Sequence, residues 1–265
     1  VVSGSVRFDG HDLTRASDSL LRTIRGNRIA HVFQNPQGAL DPAYPVGEQV
    51  AETIELHEDD PAAHERAVDL LDRVGLPSPA SAAEKYPHEL SGGVKQRVVI
   101  ATALAADPDV LVADEPTTAL DVVTQAQILR LLADLQAERD LGVLFITHDL
   151  GVVSEVADRV LVLYAGRVME RGPVETVLRD PAHPYTRGLV ASLPGRGDSM
   201  TPLSGDFPDP VDRPDGCRFH PRCPHAVAAC RDSVPTEFAV DGDHTASCLY
   251  HGPGYDAAEL EGHDD

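Results

Sequence analysis

Apolar residues recur along this chain in two rhythms, and the alternation between them sets the fold class. Helical spacing marks Ala67, Leu70, Leu71 and Val74, closed by Gly75 with Pro77 just beyond. A second helical stripe runs through Ile128, Leu131, Leu132 and Leu135, with Asp121 placed to cap it. Leu20 to Ile24, Val46 to His57, Ala62 to Val74, Val94 to Ala106 and Leu150 to Ala157 are predicted as helices. Short apolar runs at Ile29–Phe33, Val110–Ala113 and Val143–Thr147 predict buried parallel strands. Asp9-Gly10 and Ala165-Gly166 each sit between short strand pieces, as in a hairpin. Strand and helix in alternation predict an α/β fold, a parallel sheet with helices on its faces.

The pattern changes after Pro181. Residues 181–216 are rich in Pro, Gly and Asp and read as a mostly irregular linker; residues 217–250 hold all four cysteines. Residues 251–265 form an acidic tail, expected from Gly254 onward to lack fixed structure. A chain of 265 residues can hold one good-sized core and a small appendage. The net charge of -21 argues against a nucleic-acid surface, which needs clustered Lys and Arg. Acidity spread this evenly, with few lysines, suits a salty cytoplasm where self-repulsion is screened, or an ordinary acidic soluble protein. No run approaches the roughly 18–20 apolar residues of a membrane helix, and no signal peptide is recognisable. The expectation is a soluble protein that reaches a membrane only through a partner.

The chemistry concentrates between Leu90 and Asp121, in LSGGVKQRVVIATALAADPDVLVADEPTTALD. Ser91-Gly92-Gly93 opens a helix, whose unpaired N–H groups and positive dipole end suit a phosphate that glycines allow to come close. Asp114-Glu115 follows an apolar strand at the carboxyl edge of a sheet, where α/β folds bind ligands. One carboxylate can hold Mg²⁺ while the next orients or deprotonates a water. Taken singly, the first piece also suits a flexible turn and the second a solvated cap. Gln34 ends a strand before a Pro- and Gly-rich loop, where its amide could coordinate Mg²⁺ or position a water. His148 follows another strand end and could reach a γ-phosphate.

In this order and spacing the stretch resembles the signature motif, Walker B strand and D-loop of ATP-binding cassette (ABC) ATPases. The resemblance implies a P-loop NTPase-like ABC nucleotide-binding domain over residues 1–180, with a helical subdomain at about 35–105. It makes Gln34 the Q-loop glutamine, a Mg²⁺ ligand, and His148 the switch histidine of Ile146-Thr147-His148-Asp149. Asp114 would hold Mg²⁺ through water, and Glu115 would be the general base. Ser91, Gly92 and Gly93 would contact the γ-phosphate of ATP bound by an opposite subunit, with Gln96 also binding nucleotide. Asp121 would cross the dimer interface. Small departures are Val94-Lys95, where the family often shows Met-Arg, and Asn35 after the glutamine. A loop of the form G-x-x-x-x-G-K-[ST] is absent from the sequence, whose only lysines are Lys85 and Lys95. Because that loop lies upstream in the family, an N-terminal truncation is expected; an inert partner subunit is the alternative.

Asp180 to Leu189 and Gly216 to Pro224 resemble the C-terminal extension of oligopeptide and dipeptide importer ATPases. The implied function is ATP hydrolysis for peptide import at the cytoplasmic face of the cell membrane. A second ABC ATPase subunit, permease subunits and an extracellular substrate-binding protein would be its partners. An importer of nickel or another small solute is the nearer alternative, and a non-transport cassette acting on ribosomes or DNA the remoter one. Cys217, Cys223, Cys230 and Cys248 are separated by five, six and seventeen residues. Disulfides are disfavoured in the cytosol, and structural zinc usually takes a close C-x₂-C pair. Thiolates so spaced could hold an iron–sulfur cluster, and the resemblance implies a [4Fe–4S] cluster, with zinc or free thiols still open. His220, His225 and His244 are read as exposed bystanders.

Overall fold

A computed structural model of the chain describes residues 3–118, 120–193 and 203–260, in two compact units, Val1–His148 and Asp149–Asp265. In the first unit, β1 (Arg7–Phe8) and β2 (His11–Asp12) pair across Asp9 and Gly10. Both turn residues have positive φ, 47° and 76°, as a tight right-twisting hairpin requires. Helix α1 (Asp18–Ile24) starts at Ser17, whose hydroxyl accepts from the Leu20 N–H.

Strands β3 (Ile29–Val32), β4 (Val110–Asp114) and β5 (Gly142–Ile146) form a parallel sheet with β4 in the middle. Their register sets Val32 opposite Ala113 and Asp114 opposite Ile146. The residues just beyond each strand therefore emerge along one carboxyl edge. Between β3 and β4 run α2 (Pro36–Ala39), α3 (Val46–His57), α4 (Ala63–Arg73), α5 (Pro79–Ala83) and α6 (Gly92–Leu104). Helix α2 is a single turn inside the expected loop, capped by the Asn35 side chain. Helix α7 (Val122–Arg139) joins β4 to β5. One continuous core holds this unit together, through Ile54, Leu71, Ile100, Leu111 and Ile128 among others. Burying each such side chain contributes on the order of 1.5–3 kcal/mol.

The second unit begins with α8 (Leu150–Val156), β6 (Arg159–Tyr164) and β7 (Arg167–Pro173), followed by α9 (Val174–Arg179) and α10 (Pro184–Ala191). Helix α10 lies in the stretch expected to be irregular. Pro184 occupies its first turn, where the missing N–H costs nothing, and the His183 ring accepts the Tyr185 N–H at 3.0 Å. The cysteine-bearing segment adds α11 (Ala229–Asp232), β8 (Phe238–Asp241) and β9 (His244–Ala246). It is joined to the preceding hairpin, since the antiparallel sheet runs β6-β7-β9-β8. Phe219 is fully buried and packs its ring near those of Tyr164, Tyr185 and His183.

One buried carboxylate ties this unit together. Glu170 on β7 accepts from the Ala182 and His183 N–H groups, both at 2.8 Å, and pairs with the His244 ring of β9 at 2.7 Å. His244 is therefore no exposed bystander: it is 2% exposed, and a strand pairing drives it inside. His220 and His225 are half-buried. Burial also keeps the His183 ring neutral, its pKa pushed down to about 3. The expectation of an unstructured tail is corrected as well, because Ala257–Leu260 forms a helical turn with Leu260 buried beside Tyr250. Residues 261–265 lie outside the described residues.

Candidate active site

At the carboxyl edge of the first unit's sheet, three segments meet on one carboxylate. The Gln34 amide, two residues beyond β3, donates to Glu115 Oε2 at 2.8 Å. The Thr118 hydroxyl donates to the same oxygen at 2.8 Å. His148 Nδ1, two residues beyond β5, lies 3.1 Å from Glu115 Oε1. Glu115 follows β4 directly and has φ of 45°, a left-handed conformation rare outside glycine. Holding a non-glycine residue there costs on the order of 1–3 kcal/mol. Two backbone bonds enforce it: Glu115 N–H donates to Ile146 O at 2.9 Å, and Thr118 N–H donates to Glu115 O at 3.1 Å.

The Thr118 hydroxyl, then His148 and Gln34, stabilise the charged form and hold the Glu115 carboxyl below its ordinary pKa. Its side chain remains 23% exposed, and that of His148 76%. An ionised, water-accessible carboxylate fixed by three donors is equipped to orient a water and accept its proton. Asp114 ends β4 one residue earlier, half-buried at the same edge.

A second group of expected site residues sits at the starts of α6 and α7. Ser91 caps α6, its hydroxyl accepting from Val94 N–H at 3.4 Å. Asp121 caps α7, accepting from the Thr124 N–H at 3.0 Å and the Thr124 hydroxyl at 2.6 Å. The two caps meet through Gly93, where an added Cβ would lie 2.5 Å from Thr124 Cγ2. Gly93 is thus required by the protein's own packing. Gly92 is different: nothing comes nearer its Cβ position than Leu120 at 4.0 Å, so it keeps room for a ligand.

Gln96 is not brought to this surface. It lies five residues from Ser91, about 140° around the helix, and is 2% exposed with its amide nitrogen unpartnered. Nothing local in the sequence marks Thr118 and Thr124, because hydroxyls following an acidic residue are commonplace; only the turns give them their partners.

The four cysteines are free thiols in the second unit, Cys230 and Cys248 buried and the other two half-buried. Together they line one small cavity, with Phe219 and Tyr250 in its wall. Burial pushes the Cys217 thiol up and those of Cys223 and Cys248 to about 12, and the neighbouring thiols add to each shift. Cys217 N–H donates to Cys230 O at 2.8 Å. Gly216 makes that approach possible, with φ of 62° and a Cβ position only 2.4 Å from the same oxygen. Among the described residues, no group of three or more His, Cys, Asp or Glu is arranged to hold a metal ion.

Residues 1–118 match the ABC transporter family, and residues 169–230 match the C-terminal region of oligopeptide/dipeptide transporters. A relative from Brucella melitensis, named as a peptide import ATP-binding protein, is 48% identical over 249 residues, 90% of this chain and 74% of its own length. Another so named, from Brucella abortus, is 46% identical over 252 residues, 93% of this chain and 76% of its own. Among solved structures, the dimeric ATP-binding cassette MJ0796, in a post-hydrolysis state bound to ADP and Pi, gives a TM-score of 0.59 at 32% identity. The match covers 65% of this chain and 74% of that one.

Proposed function

The chain belongs to the ABC transporter ATPases, and on that footing we propose that it is the ATP-hydrolysing subunit of an importer of di- and oligopeptides. The observation that carries the catalytic half of this reading is the Glu115 carboxylate, held by Gln34, Thr118 and His148 where strand ends converge. ATP is the substrate, with Mg²⁺ taken by Asp114 and Gln34. Glu115 accepts the proton of the attacking water, and His148 faces the γ-phosphate. Phosphoryl transfer depends on positioning and charge neutralisation more than on covalent chemistry. Ser91, Gly92, Gly93 and Asp121 would serve a nucleotide held by a second cassette. The exposure of Val122 beside Asp121, at 82%, supports that reading.

Partner permeases and an extracellular binding protein follow from the importer reading, as does a location at the cytoplasmic face of the membrane. Among the described residues no helix is long and apolar enough to cross a membrane. The peptide half rests on the relatives' names and on the match over residues 169–230. Disrupting the gene should abolish uptake of labelled di- and tripeptides, with restoration by the intact gene. Normal peptide uptake alongside lost nickel uptake would overturn the substrate assignment.

For the cysteines the same reading favours a [4Fe–4S] cluster. An all-thiol donor set around one cavity fits it, and a cluster takes one thiolate per iron, so its ligands need not converge on a point. Thiols pushed this far up stay protonated unless a cation offsets the charge, which a bound cluster does. When bound, it would cross-link Cys217, Cys223, Cys230 and Cys248 in a segment with little apolar core. Anaerobically purified protein should contain about four irons and four sulfides per chain and absorb in the visible. Stoichiometric zinc with no sulfide would sink the assignment.

A further inference from the structure

The Glu115 carboxylate has three donors, but only one of them shares its turn. Gln34 reaches it from the end of β3 and His148 from the end of β5, and both are also expected to engage Mg²⁺ or phosphate once ATP is bound. Thr118 lies three residues from Glu115, in a turn closed by its own N–H on the Glu115 carbonyl oxygen at 3.1 Å. Its hydroxyl reaches back over that turn to Oε2 at 2.8 Å. Whatever moves Glu115 moves Thr118 with it. We propose that Thr118 is the positioning residue for Glu115, holding Oε2 so that Oε1 faces the attacking water when Gln34 and His148 turn to the nucleotide. The proposal rests on Glu115 being the general base.

Two features separate this role from ordinary turn closure. The turn is already closed by a backbone bond, which a Thr118→Val side chain leaves in place. Thr118 is exposed, so deleting its hydroxyl strands no buried polar group and leaves no cavity. The hydroxyl is therefore dispensable to the fold, and its one described acceptor is the carboxylate that does the chemistry. Fixing one oxygen of a freely rotating carboxylate stabilises the reactive geometry without gripping ATP. Its loss should accordingly appear in kcat, with KM spared.

The test uses the natural full-length protein, assembled as it works. Thr118→Val should lower kcat for ATP about tenfold, with KM for ATP within about twofold of the parent and an unchanged melting temperature. Thr118→Ser, which keeps the hydroxyl, should restore most of the rate. If ATP closes the cassette dimer and cleavage reopens it, the ATP-bound dimer of Thr118→Val should persist about tenfold longer by light scattering. Parental kcat in Thr118→Val, or a Thr118→Ser as slow as Thr118→Val, would overturn the assignment. So would a rise in KM alone, or a slower kcat without a longer-lived dimer. Glu115→Gln measured in parallel keeps the premise separate: if it turns over at the parental rate, the general-base reading falls. If it is slow while Thr118→Val is normal, only the positioning role falls.

Discussion

Glu115→Gln should lower steady-state ATP turnover by roughly 10²- to 10⁴-fold, the range expected for removing a general base, while ATP binding survives. The substitution changes little else. An amide oxygen at the Oε2 position can still accept from Gln34 and Thr118, whose donors stand 2.8 Å away. The backbone that holds φ at 45° is bonded through main-chain atoms, which the side chain does not alter. What disappears is the capacity to take a proton from water, together with the charge that attracts the His148 ring. Nucleotide affinity should therefore stay near the parental value and the closed dimer should accumulate. Turnover within about threefold of the parent would exclude proton transfer to Glu115 as a contributor to the barrier.

The elements that bring Glu115 to this edge were legible in the sequence for a simple reason. β3, β4 and β5 are short apolar runs with nothing to compete for them, and within two residues of each end stands the polar residue that matters. Helices α3, α4 and α7 show an apolar stripe at the helical period. Other features depend on contacts that no local pattern records. Helix α10 begins in a Pro-rich stretch, and its cap is a histidine whose ring must be buried and neutral to accept a hydrogen bond. Gly93 reads as an opening for phosphate, but the sequence near it does not show that Thr124, 31 residues later in the numbering, also requires it to be glycine. Gln96 follows Ser91 closely in sequence, yet the helical turn carries it to the other side. His244 looks like a surface residue until Glu170, 74 residues away, is placed beside it.

That last contact carries the largest structural effect expected in the molecule. Glu170→Ala should destabilise the second unit by about 3–5 kcal/mol, because it removes one buried acceptor from three donors at once. The loss is compound. The Ala182 and His183 N–H groups and the His244 ring would all lose their acceptor inside a space that water does not reach. An unsatisfied buried donor costs about 1–3 kcal/mol by itself. The unit spans Asp149–Asp265, and at that size each kcal/mol moves the melting temperature by about 4 °C, so a fall of roughly 12–20 °C is expected by calorimetry. Glu170→Gln should fall in between, since its amide keeps one acceptor and sets a donor against a second N–H. Because β9 leads into Cys248, thiol labelling at neutral pH should accelerate in Glu170→Ala. A melting temperature within a few degrees of the parent would show instead that the Glu170 contacts contribute little and that β7 and β9 are held by their backbone ladder alone.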